Sequence, residues 1–153
     1  MASLYIGTSA FTAAGWEGSF YPEGTRPADF LRYYAQHFNS VEIDSTFYRI
    51  PSEATVQGWA KKTPEGFMFA AKVPQVITHE KVLVDCDAEF KQFVEVMDIL
   101  SEKLGPLLLQ FGYFNHESRI RGYPTRAEKD SQERIPIFSV ITRSVGFRTR
   151  DHV

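Results

Sequence analysis

A chain of 153 residues is the size of one ordinary domain, and 43% hydrophobic with 24% charged residues is the composition of a soluble globular protein. That composition excludes collagen-like, disordered and disulfide-scaffold classes for the chain as a whole. A formal charge of −2 gives no bulk attraction to nucleic acid or to an anionic membrane, and the single Cys86 has no internal disulfide partner. No apolar run approaches the roughly 18 residues of a membrane span. Residues 1–4 lack the basic and apolar regions of a signal peptide, so a cytoplasmic protein without a membrane segment is expected.

The chain then alternates short strand-like runs with helix-like patterns, the signature of parallel βαβ units. Leu4-Tyr5-Ile6 is the first predicted strand. Pro27 suits the first position of a helix over roughly 27–38, whose apolar face is Phe30, Leu31, Tyr34 and Phe38. Val41-Glu42-Ile43 is a second strand entering the polar Asp44-Ser45-Thr46. Ser52 is a plausible N-cap for a helix that stops before Thr63-Pro64. Residues 67–73 are continuously apolar up to Lys72, as in a strand covered on both faces. From Asp87, Phe90, Phe93, Val94, Met97, Leu100 and Leu104 hold helical spacing until Gly105-Pro106, and residues 107–111 form a fourth strand. The predicted fold is α/β, with about four parallel strands and crossover helices.

Composition changes after residue 116. Residues 117–153 hold seven arginines against three upstream, and the formal charge changes from −5 to +3. The one strand-like run there, 135–141, carries Pro136, which disfavours a central strand. Residues 117–153 are therefore expected to form a divergent tail outside the fold, either frameshifted or disordered.

Ordered blocks along the chain resemble a known family. Ile6-Gly7-Thr8-Ser9, Gly15-Trp16, Phe20-Tyr21-Pro22, the run from His37 through Arg49, Pro51-Ser52, Trp59-Ala60, Thr63-Pro64, Lys72-Val73-Pro74, Ile77-Thr78-His79 and Leu104 through Phe111 are similar, in that order, to the YecE-like domain-of-unknown-function family 72. The resemblance covers about residues 3–116. It implies a TIM-barrel-like (β/α) domain without an assigned reaction, of which this chain would be the N-terminal half, as a truncated member.

In a parallel βα architecture ligands bind at the carboxyl ends of the strands, which is where the distinctive residues concentrate. Glu42 lies inside a strand, where a carboxylate needs a partner. It is a candidate general acid/base with Lys72 beside it, or one half of a structural ion pair with Lys72. His79 belongs to the residue type suited to proton transfer near neutrality, and also suits a hydrogen-bonded loop. Thr8, Ser9, Asp44, Ser45, Thr46 and Gln110 are candidate polar contacts, although Asp44-Ser45-Thr46 equally suits a self-satisfied turn. Arg49 can clamp a phosphate or carboxylate. Trp16, Tyr21, Phe47 and Tyr48, with Phe20, form either a stacking wall for a sugar or base or a packed lid. His79, Glu42 and Asp44 could build part of a hard-metal site, yet no metal-ligand spacing such as paired histidines is present, nor a phosphate-binding glycine motif or nucleophile elbow, and the sequence leaves the cofactor unknown.

Three functions follow. One is a hydrolase-type enzyme acting on a small polar or phosphorylated substrate through Glu42, Lys72 and His79. The second is a nucleic-acid-binding module using the aromatic loops and Arg49, which the net charge does not favour. The third is an inactive truncated product that self-associates through open sheet edges.

Overall fold

The computed structural model describes residues 4–111 and, as backbone, 138–141. Pro27 opens a 3₁₀ turn, Pro27–Asp29, that runs into helix α1 (Phe30–Tyr34), which buries Leu31 and Tyr34. Strand β1 (Ser40–Ile43), a 3₁₀ turn (Asp44–Phe47) and helix α2 (Glu53–Lys62) follow. Strand β2 (Met68–Lys72) leads through a π turn (Val76–Glu80) to helix α3 (Asp87–Met97). A 3₁₀ segment (Asp98–Lys103), strand β3 (Leu104–Gln110) and strand β4 (Phe138–Ile141) complete the described chain.

The four strands form one sheet in the order β1-β2-β3-β4, with the first two junctions parallel and the last antiparallel. Alternation sorts the side chains by face. Val41, Ile43, Phe69, Ala71, Leu107 and Leu109 are buried, in one core with Leu31, Tyr34, Val56, Phe93 and Met97 of the helices. Glu42, Met68, Ala70, Lys72, Leu108 and Gln110 share the opposite, half-buried face. Each fully buried aliphatic or aromatic side chain contributes about 1.5–3 kcal/mol relative to exposure.

Helix α2 begins and ends for identifiable reasons. The Ser52 hydroxyl accepts from the Thr55 amide at 3.2 Å, as expected of an N-cap. At the other end the Lys103 ammonium donates to the Ala60 and Thr63 carbonyls, each at 2.7 Å, and so satisfies acceptors that the helix terminus leaves open. Helix α3 is shorter than its apolar spacing predicts. It stops at Met97, and the backbone of Ser101 then takes a positive φ of 52°, so Leu100 and Leu104 reach the core from a kinked 3₁₀ segment and from β3. Gly105 lies inside β3 and does not act as a helix stop. A β-carbon there would meet Met68 Cγ and Sδ at 2.7 Å, and the strand register shifts at this point, between Phe69 and Ala71.

Two further expectations differ from the structure. Leu4-Tyr5-Ile6 is not a strand of the sheet. It runs beside β1 held by a side chain: the Asn39 amide accepts from Ile6 N at 2.7 Å and donates to Leu4 O at 2.8 Å, in place of a second backbone. One main-chain bond, Glu42 N to Thr8 O at 3.0 Å, joins the segment to β1. Phe138–Ile141, expected outside the fold, pairs antiparallel with Leu107–Gln110. Pro136 precedes this strand and therefore removes no donor from its ladder.

Candidate functional site

The carboxyl ends of β1 and β2 bring Lys72 and His79 to one aromatic ring. The Lys72 ammonium lies over the face of Phe47, 5.2 Å from its centroid, and the His79 ring meets Phe47 edge-to-face at 5.0 Å. Phe47 is carried there by the 3₁₀ turn after β1. That turn is tied to β2 by Thr46, whose buried hydroxyl lies 2.7 Å from both the Ile43 and Lys72 carbonyl oxygens. His79 is carried by the π turn, in which Lys81 N bonds Val76 O at 2.9 Å. The Thr78 hydroxyl, itself buried, lies 2.9 Å from His79 Nδ1.

Glu42 shares the face of Lys72 but not an ion pair with it. Register sets Glu42 opposite Ala70, two residues before Lys72, and no carboxylate among the described residues lies within 4.0 Å of the Lys72 ammonium. The structural Glu42–Lys72 pair is therefore absent. Lys72 is a half-buried cation whose side-chain partner among the described residues is the Phe47 ring, an interaction of about 1 kcal/mol that leaves its three donors available. Gln110 stands diagonally from Lys72 on the same face, at the end of β3.

The other predicted residues divide. Thr8 is used structurally: its hydroxyl donates to Ala10 O at 2.5 Å and pairs with the Tyr34 hydroxyl at 2.9 Å. Ser9 is exposed, and Asp44 is half-buried at the start of the 3₁₀ turn. Tyr48 is 72% exposed, edge-on to Phe47. Ser45, Thr46 and Arg49 line a separate groove of about 350 Å³ with Ile50, Pro51, Ser52, Thr55 and Trp59; Glu42, Lys72 and His79 are not part of it. Trp16 and Tyr21 do not form an open wall. Tyr21 is buried, stacks on Phe30 at 4.2 Å and donates its hydroxyl to the Phe11 carbonyl, while Trp16 packs edge-on to Phe20. Burial, reinforced by neighbouring Tyr34, pushes the Tyr21 hydroxyl up to about 12, as befits a packed phenol. Thr78 was visible in the sequence beside His79, but its hydrogen bond has no sequence signal. The groove lining beyond Arg49 had none either.

Among the described residues no group of His, Cys, Asp and Glu is arranged to hold a metal ion. Burial pushes the Cys86 thiol up, so it is a poor thiolate nucleophile. Among the described residues no helix is long and apolar enough to cross a membrane.

The arrangement belongs to a recognisable lineage. The profile of the family described as "Protein of unknown function DUF72" matches residues 5–135. The chain belongs to the DUF72 family. The match runs past residue 116, the expected end of the resemblance, and so takes in part of the arginine-rich segment. The chain is 36% identical over 80 residues to the UPF0759 protein YecE of Escherichia coli K12, covering 52% of this chain and 29% of that protein. It is 35% identical over 114 residues to the UPF0759 protein YunF of Bacillus subtilis 168, covering 71% and 39%. Two crystal structures of a DUF72 family protein of Enterococcus faecalis V583 superpose with TM-scores of 0.55 and 0.52 at 30% and 28% identity; each covers just over 70% of this chain and about 40% of that one. The chain thus spans between 29% and 39% of the length of these curated relatives.

Proposed function

We propose that the carboxyl edge of the β1–β2 sheet is a binding site for a small anionic ligand, and that the DUF72 chain acts there as a hydrolase on a phosphate ester. One observation carries this: Lys72 projects from the half-buried face with no carboxylate partner among the described residues, beside an aromatic ring that also orients His79. A cation held away from counter-charges at a strand end favours an anion from solution, because each charge-assisted hydrogen bond is stronger than a neutral one. His79 supplies the residue type that takes a proton from an attacking water, and Glu42 is the further ionisable group on that face. The π turn under His79 supports the same reading, since such turns are frequent at functional sites.

The family resemblance supports a finer architecture, in which this sheet is part of a TIM-barrel-like domain. Glu42, Ala70, Lys72, Leu108 and Gln110 then line its interior, and the strand ends form its mouth. The overall negative charge of the chain supports a small ligand over nucleic acid.

Isothermal titration of the chain with inorganic phosphate, and turnover of p-nitrophenyl phosphate, test the reading. Lys72→Met is expected to weaken phosphate binding about 10–100-fold, the equivalent of about 1.5–3 kcal/mol for a hydrogen bond to a charged group. His79→Gln and Glu42→Gln are expected to lower turnover while leaving phosphate bound. Phosphate that binds equally well to Lys72→Met, or that is lost on Arg49→Met instead, overturns the assignment.

A further inference from the structure

We infer that Thr78 is a positioning residue that sets the tautomer of His79, placing its proton on Nδ1 and leaving Nε2 as the free base; this rests on His79 being the proton acceptor of the site proposed above. Thr78 is buried at 1% exposure, and its one hydroxyl stands between two neighbours. Pro74 O lies 3.4 Å away and His79 Nδ1 lies 2.9 Å away.

A carbonyl oxygen accepts only, whereas an imidazole nitrogen either donates or accepts, and a hydroxyl has one proton to give. A threonine one turn after a carbonyl habitually bonds back to it, and here that carbonyl is four residues earlier. With its proton directed at Pro74 O, the hydroxyl can meet Nδ1 only by accepting. The chain then runs Nδ1–H to Oγ1–H to O=C, with every member satisfied and each bond polarising the next. Pro74 O also accepts from the Ile77 and Thr78 amides at 3.0 and 3.3 Å, and the opposite assignment turns a lone pair of Oγ1 towards that carbonyl oxygen at 3.4 Å.

The second ring nitrogen follows from the first, because the hydrogen bond at one nitrogen decides which tautomer the other presents. The edge-to-face contact with Phe47, centroids 5.0 Å apart, restrains the same ring from a second direction. His79 is therefore held in both tautomer and rotation. Its Nε2 lone pair is the one left to take a proton from water at the Lys72 anion site.

Long-range ¹H–¹⁵N correlation spectra of the ¹⁵N-histidine-labelled chain, at a pH where imidazole is neutral, read the tautomer directly. The His79 signals are assigned by their loss in His79→Gln. The expected spectrum has a protonated Nδ1 and a pyridine-type Nε2 in the parent chain and in Thr78→Ser, with the ratio inverted towards Nε2–H in Thr78→Val. A parent spectrum dominated by Nε2–H, or a Thr78→Val spectrum like the parent's, overturns the inference. Should Thr78→Val not fold, the parent and Thr78→Ser spectra decide by the same criterion. No ligand enters this measurement, so it stands or falls separately from phosphate binding. Where turnover is also present, Thr78→Val is expected to lower kcat with KM little changed, and Thr78→Ser to restore it.

Discussion

Gly7 shows how tightly single atoms fix the N-terminal segment. A β-carbon on it would lie 2.0 Å from the Ser40 carbonyl oxygen and 2.6 Å from its carbon, well inside contact distance with backbone that cannot rotate away. Gly7→Ala must push the segment off β1 and strain the bonds from Asn39 to Leu4 and Ile6. The expected loss is about 1–3 kcal/mol, the usual range for overpacking, read from the midpoint of chemical denaturation. A variant as stable as the parent would falsify the close crossing. The sequence carries the glycine but not its reason, since the crossing depends on a residue 33 positions away. Side chains with local duties were more legible. Ser52 caps the helix it precedes because the bond it makes is three residues long. The Thr46 hydroxyl has one such local contact, to Ile43 O, and a second to Lys72 O, 26 residues on, which leaves no local signal.

At the scale of elements, the loop between the π turn and α3 is the most strained part of the described chain. Val82, Leu83 and Asp85 have φ of 48°, 62° and 49°, a region that costs L-residues about 1–3 kcal/mol each. The loop is pinned by Lys81, whose ammonium donates to Asp85 O at 2.8 Å and to Glu89 Oε1 at 2.6 Å. The hydrogen bond from Lys81 holds the Glu89 carboxyl below its ordinary range, and the same bond raises Lys81. The latch therefore stabilises the fold above the ordinary glutamate range, about 4.3, and fades as pH falls through the lowered folded value. On the alkaline side it is complete below the ordinary lysine value, about 10.4, and fades as pH rises through the raised one. Protection of the Leu83 and Val84 amides from hydrogen exchange is expected to drop on acidification through the carboxylate range. In Glu89→Gln it should be low already at neutral pH and insensitive to acid; unchanged protection in that variant would count against the latch. Periodicity could not reveal this loop, because positive-φ residues without glycine leave no compositional mark. The same limit explains α3: its apolar spacing reports burial correctly at Leu100 and Leu104, while the kink at Ser101 that takes them off the helix is set by tertiary packing.

For the molecule as a whole, the parallel βαβ order was legible because strands β1 to β3 and the helices between them each bury a face of their own. What lies at the sheet's two margins was not. At the β3 margin the strand Phe138–Ile141 supplies backbone partners, from a stretch whose composition reads as a tail. At the β1 margin Leu4, Tyr5 and Ile6 are 75%, 44% and 56% exposed, three consecutive apolar residues in a segment already laid along a strand. Asn39 accepts from Ile6 N and donates to Leu4 O on the inner side of this segment. No hydrogen bond to Tyr5 is present among the described residues. An apolar edge whose Tyr5 main-chain groups have no partner among the described residues is a template for another strand, and a second copy of the chain offers the same edge at equal concentration. Sedimentation velocity is therefore expected to show association that grows with concentration. A lysine at the centre of the edge opposes such pairing by requiring a charge to be desolvated, so Tyr5→Lys should weaken association at least about tenfold, or about 1.4 kcal/mol. Because Tyr5 is outside the core, that variant should keep the parent's denaturation midpoint. A chain that stays monomeric at every concentration, or a Tyr5→Lys variant that associates as the parent does, would place the cover of this edge elsewhere.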